Sequence, residues 1–517
     1  MRTISIAERT LAPVQRAALV VLVLLITGVV FARSLGFDFI VDYDDTVNLH
    51  DHESWRGLTG DHLRWMATSF WQGHYHPLTW LSWAIDWTYS SSGKELLPFG
   101  FHLQNVLWHL VNTGLCMALF LALLRRIPGR SPNLATTWVA AAAGTLFFAI
   151  HPLRAESVAW VTERRDVLSG AFFLATILVY LRSRSLLAMV LVTVLATLSL
   201  LSKAWGITLP AVLFVLDAWP LRRNLRGVRV YLEKLPLIGI AAFFAIMAVQ
   251  AQAASGALQP FDEVPLLHRI GQALFGLAFY PWVTVLPLDL LPMYEMTADP
   301  RVALTRWSLG FVFVVVAIVL AVLVRKRAPA VPTALLLYAI VVSPVLGIAQ
   351  SGPQAAADRY SYLACIPFAG LYAVAVLRWR VARALALGHL IALATLAFFQ
   401  IGLWKDATTL WTATAERDLG NVRANLWLGE KAYQQDRIEE ADRRLATAFQ
   451  RNSKHPKLLN SRGIVFARMG RDKEAVQLWQ RAVQLWPGDP ETANSRYLLE
   501  ETRKRFPELF SPATRTR

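Results

Sequence analysis

Long apolar runs separated by short polar loops recur from residue 17 to about residue 403. A helix that crosses the hydrocarbon core needs about 20 mainly apolar residues, and a soluble domain would not carry so many runs of this kind. The pattern therefore predicts an all-α, polytopic helical membrane protein. We predict eleven spanning helices, at 17–34, 102–124, 134–151, 167–181, 186–201, 205–219, 235–252, 307–324, 331–349, 361–377 and 384–403.

The segment 267–290 is also apolar, but Pro281 and Pro287 interrupt it. Proline lacks the backbone N–H that a helix uses, and its ring clashes with the preceding turn. We therefore predict a re-entrant or interfacial helix pair here rather than a full crossing.

Basic residues gather in alternate loops, which fits the rule that cytoplasmic loops are rich in Arg and Lys. With these loops inside, the N-terminus is cytoplasmic and the C-terminus lies outside. The same distribution explains the net charge of +16, so we infer no nucleic-acid partner. The clusters are Arg2, Arg9 and Arg16; Arg125, Arg126 and Arg130; Arg182 and Arg184; Arg222, Arg223, Arg226 and Arg229; Arg325, Lys326 and Arg327; and Arg378, Arg380 and Arg383.

From residue 404 the composition becomes that of a soluble domain, and a 34-residue period appears. Gly429, Ala441 and Ala448 recur as Gly463, Ala475 and Ala482, and small residues at such offsets let paired helices pack closely. We predict a transmembrane domain at 1–403 and a soluble tetratricopeptide repeat domain at 404–517. Its parts are repeats at about 422–455 and 456–489 and a capping helix at 490–506.

Three carboxylates, those of Asp42, Asp44 and Asp45, follow the first apolar run within four residues. Charged groups are costly in hydrocarbon, so we expect them just outside the membrane, in the first outer loop at 35–101. A carboxylate pair there can act as a base toward a hydroxyl or can ligate a cation. A solvated loop or a helix cap is the alternative.

Basic side chains fall on the same predicted face, in the second outer loop at 151–166 and at the ends of later spans. They suit a phosphate, which arginine binds through two hydrogen bonds and lysine as a point charge. The alternatives are membrane anchors, or pairing of the loop's arginines with Glu156, Glu163 and Asp166. The candidates are Arg154, Arg164, Arg165, Lys203 and Arg359.

His76 and His151 each precede a proline at a membrane edge. No two histidines have zinc-ligand spacing on one helix, so we expect them to hydrogen-bond a phosphate or sugar instead. A divalent cation such as magnesium or manganese at Asp44 and Asp45 is left open. The chain has no GxxxxGK or GxGxxG motif after a strand, which argues against a nucleotide-sugar site.

Large aromatic residues in the first outer loop occur at near-helical spacing. We interpret them as interfacial helices with indole rings at the depth of the lipid headgroups. They are Trp65, Phe70, Trp71, Trp80, Trp83 and Trp87.

Several motifs together resemble one family, the transmembrane and tetratricopeptide-containing protein O-mannosyltransferases and their bacterial relatives, within the GT-C membrane glycosyltransferases. The resemblance lies in the Asp-Asp pair, His-Pro-Leu-Thr-Trp-Leu-Ser from His76, the run from His151 to Asp166, Leu-Ser-Lys, Asp-Ala-Trp-Pro-Leu and Asp-Arg-Tyr-Ser-Tyr-Leu. It implies a GT-C-like membrane domain in a bacterial inner membrane. The tetratricopeptide region is shorter than in animal members, which leaves the sugar and the acceptor open.

The resemblance also implies an activity: transfer of a mannose-like hexose from a polyprenyl-phosphate carrier to a hydroxyl of a protein or glycan on the outer face. Asp44 would be the catalytic base, with Asp45 orienting it and Asp42 as the second choice. The repeats would present the acceptor or recruit a protein partner.

Two other functions compete with this interpretation. A transporter or flippase would need polar or broken helices at the bilayer midplane, whereas the charges here gather at one face. A membrane-tethered tetratricopeptide scaffold would explain the C-terminal repeats but not Asp44, Asp45, Lys203 and Arg359.

Overall fold

The chain divides into two units, Met1–Asp406 and Ala407–Arg517, each with its own internal packing. The computed structural model describes residues 11–90, 95–127, 134–256, 258–261, 264–297, 299–349, 352 and 354–510. Arg2, Arg9 and Arg130, which entered the prediction of orientation, lie outside these ranges.

The first unit is built from helices, as the apolar runs predict. They are α1 (Pro13–Phe31), α2 (Gly60–Thr68), α3 (Pro77–Ser90), α4 (Pro98–Leu124), α5 (Leu134–Ala149), α6 (Ala155–Ala159), α7 (Arg164–Arg182), α8 (Leu186–Ser202), α9 (Leu209–Ala218), α10 (Arg229–Leu232), α11 (Leu235–Ala254), α12 (Leu266–Val285), α13 (Pro300–Val324), α14 (Ala330–Val342), α15 (Ser361–Ala364), α16 (Ile366–Arg378) and α17 (Arg380–Gly402). One small antiparallel sheet pairs β1 (Tyr294–Glu295) with β2 (Gln354–Ala356).

Each of the eleven predicted spans contains a helix, but their lengths differ from the prediction. Within the described ranges, five helices are long and apolar enough to cross a membrane alone, and two bent helix pairs raise the number to seven. The bends, of 56° and 57°, fall after α5 and before α16. Three shorter apolar helices, of 10–17 residues, cover further predicted spans. An all-α polytopic membrane protein is confirmed, whereas eleven full spans stay a prediction.

The prediction that 267–290 forms a pair of helices is wrong, whereas its re-entrant or interfacial placement stays a prediction. Helix α12 runs without interruption through Pro281 and ends before Pro287. Pro281 cannot donate to the carbonyl of Leu277, but the Tyr338 hydroxyl donates to that carbonyl at 3.0 Å. A neighbouring side chain therefore satisfies the backbone group that proline frees, which is how membrane helices tolerate an internal proline.

The prediction that the loop aromatics sit at headgroup depth is wrong for Trp80 and Trp83. Both are 3% exposed, because α3 turns them inward against Trp55 and Phe101. The first outer loop is thus a packed layer with its own aromatic core. Trp65, Trp71 and Trp87 pack partly buried around this core.

The second unit consists of consecutive packed helices, α18 (Ala407–Arg417), α19 (Val422–Gln434), α20 (Ile438–Arg451), α21 (Pro456–Arg468), α22 (Asp472–Leu485) and α23 (Ala493–Arg505). Helix α19 packs on α20 and α21 packs on α22. A Cβ atom at Gly429 would approach Leu445 Cγ to 2.8 Å, so the small residue is needed where the two helices meet. The assignment of the pairs as tetratricopeptide repeats stays a prediction.

Candidate functional site

Asp45 is a buried carboxylate that joins the first outer loop to the second. One oxygen accepts the Ile40 backbone N–H at 2.8 Å, and the other accepts the backbone N–H and hydroxyl of Thr162 at 3.1 and 2.6 Å. Burial raises the pKa of Asp45 to about 6, although these hydrogen bonds act in the opposite direction. Its oxygens are used within the protein, so Asp45 positions the chain around Asp44.

Asp44 is the accessible carboxylate of the pair. Its side chain is 46% exposed, and Arg165 Nη2 lies 3.9 Å from one of its oxygens. A left-handed residue, Asp42 at φ 58°, and a single π-helical turn at Thr46–His50 flank the pair. Such turns are rare and frequently occur at functional sites. The backbone therefore presents Asp44 toward solvent beside a cation.

Glu163 gathers three of the predicted phosphate ligands. Its carboxylate accepts from Arg165 Nη2 at 2.6 Å and from Lys203 Nζ at 2.7 Å, and Arg359 Nε lies 3.4 Å away. Burial alone would raise the pKa of Glu163, but the three cations outweigh it and hold the pKa well below its ordinary value. The structure thus brings Arg165, Lys203 and Arg359 together around one anion.

Lys203 bridges two carboxylates. Its ammonium also donates to Asp166 Oδ1 at 2.7 Å, and that oxygen accepts the Trp205 indole N–H at 2.7 Å. Ser157 donates to the other Asp166 oxygen at 3.0 Å. The lysine at the end of α8 is therefore fixed in place by the first turn of α7.

Arg359 is held from the opposite side. It forms an ion pair with Glu156, and its backbone N–H donates to the same carboxylate at 2.7 Å. Its guanidinium lies 5.6 Å from the centre of the Trp160 ring, which stacks between Tyr43 and Trp404. Aromatic faces favour a cation in this position.

Arg164 lies in the protein core and does not join the group around Glu163. It pairs with Asp86 at 2.7 Å and donates to Asn105, Ser82 and the Phe101 carbonyl, with no exposed side-chain surface. These partners tie α7 to α3 and α4. Arg164, although predicted to bind phosphate, therefore connects three helices of the core.

Arg154 is also buried, between the rings of Phe148 and Tyr362. It donates to the carbonyl and the hydroxyl of Ser361 at 3.1 and 2.6 Å. These contacts join the second outer loop to α15. The loop's acids do not simply neutralise its arginines: of the three, Glu163 pairs with Arg165, whereas Glu156 and Asp166 pair with Arg359 and Lys203.

His76 lies beside the charged group, stacked on His74 with 4.8 Å between the ring centres. Burial and the nearby Arg165 hold the pKa of His74 well below its ordinary value, and burial followed by His74 does the same for His76. Both rings are therefore neutral near pH 7, which suits hydrogen bonding to a neutral sugar hydroxyl.

His151 is placed differently. Its Nε2 hydrogen-bonds the Thr284 carbonyl at 3.0 Å, and its Nδ1 accepts the Leu153 N–H at 3.2 Å. Both ring nitrogens are thus used inside the protein, and the Nδ1 bond caps the short helix at Pro152–Arg154.

The predicted cation site at Asp44 and Asp45 was compared with the side chains around it. In the described ranges, no three His, Cys, Asp or Glu side chains converge on a point that could hold a metal ion. Magnesium or manganese at Asp44 and Asp45 stays a prediction, and Asp45 already directs its oxygens to protein donors.

Sequence reasoning missed the central role of Glu163 and the contribution of Thr162, His74 and Trp160. All except His74 lie in the loop 151–166, which was singled out for its charges. Nothing in the spacing indicates that one glutamate would collect cations from three separate segments, because those contacts are made only by folding.

Fold and site define a predominantly helical, polytopic membrane protein with a buried network of charges where several helices end. No family model matches the chain. Curated proteins do: it is 31% identical over 303 residues to protein O-mannosyl-transferase Tmtc2 of Drosophila melanogaster. It is 35% identical over 159 residues to TMTC4 of Mus musculus and 30% identical over 243 residues to tmtc2 of Xenopus laevis.

The predicted resemblance to the TMTC protein O-mannosyl-transferases is confirmed as a similarity of sequence, whereas a bacterial origin stays a prediction. The three similarities cover 53%, 29% and 45% of this chain. They cover only 30%, 21% and 24% of the relatives, so the chain matches less than a third of each relative's length.

Proposed function

We propose that this protein is a membrane glycosyltransferase that moves a mannose-like hexose from a polyprenyl-phosphate carrier to a hydroxyl of a protein or glycan. One observation carries the proposal: an exposed carboxylate, Asp44, lies next to cations held together at the ends of apolar helices. The names of the relatives as protein O-mannosyl-transferases support the same chemistry.

Asp44 acts as the general base. It takes the proton from the acceptor hydroxyl while that oxygen forms a bond to the anomeric carbon. The bond between the anomeric carbon and the phosphate oxygen breaks, and polyprenyl phosphate leaves with the electron pair. Asp45 holds the backbone that carries Asp44, through Ile40 and Thr162.

Arg165, Lys203 and Arg359 stabilise the negative charge that develops on the departing phosphate. Glu163 holds all three before the donor arrives, so little reorganisation is needed during the reaction. Lys203 and Arg165 keep a small exposed surface, 15% and 8% of their side chains. A lipid phosphate can therefore reach them from the edge of the helix bundle.

The site faces the outer side of a bacterial inner membrane, with the N-terminus in the cytoplasm. The alternation of basic loops supports this orientation. A donor on that side is lipid-linked, since nucleotide sugars are confined to the cytoplasm. The helical repeats of the second unit present the acceptor or recruit a protein partner.

The donor class is tested with the full chain in proteoliposomes and a serine-rich peptide acceptor. Label is expected to pass from mannosyl-phosphate polyprenol, and not from a nucleotide-linked mannose supplied on either side. Transfer from the nucleotide sugar alone would refute the lipid-linked donor.

A further inference from the structure

An apolar cavity lies between α4, α7, α9, α14 and α16. Its volume is about 110 Å³. Lining residues include Leu123, Leu174, Leu216, Leu337 and Gly370. Apolar cavities of roughly 150 Å³ stay dry and accept hydrocarbon groups, so this one suits part of an alkyl chain.

The cavity is distinct from the proposed transfer site. Along α7, Asp166 belongs to the charged group, whereas Phe173, Leu174 and Ile177 line the cavity. Seven to eleven residues of helix separate them, which corresponds to roughly 10–16 Å. The cavity therefore extends along α7 toward the opposite end of the bundle.

Positive charge surrounds that end of the cavity. Arg125 follows the lining segment of α4, Arg222 follows Pro220 after α9, and Arg327 precedes Ala330 of α14. All three are exposed. Basic residues near a membrane surface attract anionic headgroups.

The acids of the same end are already paired. Asp217 binds Lys234 at 2.5 Å and Arg223 at 3.3 Å, and Glu233 binds Arg223 at 2.9 Å and Arg229 at 2.9 Å. They do not cancel the charge of the exposed arginines.

We propose that this cavity binds one acyl chain of an anionic phospholipid from the adjacent leaflet. The chain fills the apolar space, and the headgroup contacts Arg125, Arg222 and Arg327. The lipid is a bound structural ligand that wedges α14 and α16 against α4, and it does not depend on the proposed transfer activity.

The test measures lipid retained by the full chain. The delipidated protein is reconstituted in phosphatidylcholine vesicles with a minor share of phosphatidylglycerol, extracted in mild detergent and examined by native mass spectrometry. Wild type is expected to retain phosphatidylglycerol, enriched about fivefold or more over its share in the vesicle.

Two variants and a control distinguish the contribution of the cavity to lipid retention from that of the exposed arginines. Gly370→Leu places a large side chain in the cavity, and its Cβ would meet Phe120 at an ordinary van der Waals distance of 3.5 Å. This variant should retain at most about a third of the lipid that wild type retains. Gly388→Leu, where a Cβ meets no atom within 4 Å, should retain it. Changing Arg125, Arg222 and Arg327 to Gln should abolish the enrichment while the protein stays folded.

Three results would overturn the proposal: equal retention of both lipids by wild type, equal retention by Gly370→Leu and Gly388→Leu, or displacement of phosphatidylglycerol by added polyprenyl phosphate.

Discussion

Asp44 and Asp45 are neighbours in the chain, yet one carboxylate is half exposed and the other is fully buried. The charge pattern of the sequence locates the pair beside the membrane but cannot tell the two apart. Their difference comes from Thr162, which is distant in the chain and donates twice to Asp45. The proposal that Asp44 is the base starts from the resemblance, and the exposure of its side chain in the folded chain supports it.

Ionisation of Asp45 should weaken the fold as the pH rises. The folded-state pKa of Asp45, about 6, lies above the ordinary value of 3.8. Protonated Asp45 therefore stabilises the fold fully below about pH 3.8, and this stabilisation is lost as the pH rises through 6. The shift in pKa corresponds to about 3 kcal/mol in the free energy of unfolding. Relative to Asp45→Asn, wild type should therefore lose several degrees of Tm between pH 4 and pH 7. A constant difference between the two proteins across this range would refute the raised pKa.

Neutralising Glu163 should displace the three basic side chains that its carboxylate holds together. Glu163→Gln leaves Arg165, Lys203 and Arg359 without their common carboxylate, and losing one partner of a buried pair costs about 3–5 kcal/mol. We expect the donor KM to rise about tenfold or more and Tm to fall.

Glu53→Gln is the matched control, because its carboxylate is 79% exposed and its ion-pair partner among the described residues is Arg56. An unchanged donor KM in Glu163→Gln would show that the three cations do not bind the donor.

Helices were the most predictable level of the structure. The apolar runs place all the major helices of the first unit, since burial in hydrocarbon requires them. Where prediction failed, contacts from another helix decided the outcome. Tyr338 lets α12 continue through Pro281, and Trp55 and Phe101 draw the indoles of α3 inward.

Tyr338→Phe should destabilise α12 by about 1–3 kcal/mol, because the Leu277 carbonyl loses its donor. In the background Pro281→Ala, a backbone N–H becomes available to that carbonyl. The same tyrosine change should then cost much less, so the double-mutant cycle in Tm is strongly non-additive.

Tyr372→Phe is the control, since that hydroxyl makes long hydrogen bonds, at 3.4 Å to the Ala386 carbonyl and at 3.3 Å to His389 Nδ1. Additive effects of Tyr338→Phe and Pro281→Ala would contradict the repair of the helix by Tyr338.

At the scale of the whole molecule, the sequence predicts a membrane unit followed by a helical repeat unit, with charges gathered at one face. The charged residues of several loops do meet, around Glu163. Arg164, Arg154 and His151 show the limit of such reasoning. Their residue types fit phosphate binding. In the folded chain, however, Arg164 contacts Asp86, Arg154 contacts Ser361 and His151 contacts Thr284, so these side chains connect parts of the protein.

The proposed orientation predicts opposite labelling at two engineered cysteines. The native Cys116 and Cys365 are buried, so background labelling should be low. In intact cells, Gln450→Cys should react with a membrane-impermeant maleimide, whereas Ser183→Cys should react only after permeabilisation. Labelling of Ser183→Cys, and not of Gln450→Cys, in intact cells would show the opposite orientation and would contradict a donor on the outer side.

The most direct measurement compares initial rates of mannosyl transfer from mannosyl-phosphate polyprenol by wild type, Asp44→Asn and the exposed control Asp51→Asn in matched proteoliposomes. A missing general base typically costs 10²–10⁴-fold. We predict a loss of at least about 100-fold for Asp44→Asn, with Tm unchanged, and near wild-type rates for Asp51→Asn. Undiminished transfer by Asp44→Asn would contradict the assignment of Asp44 as the base.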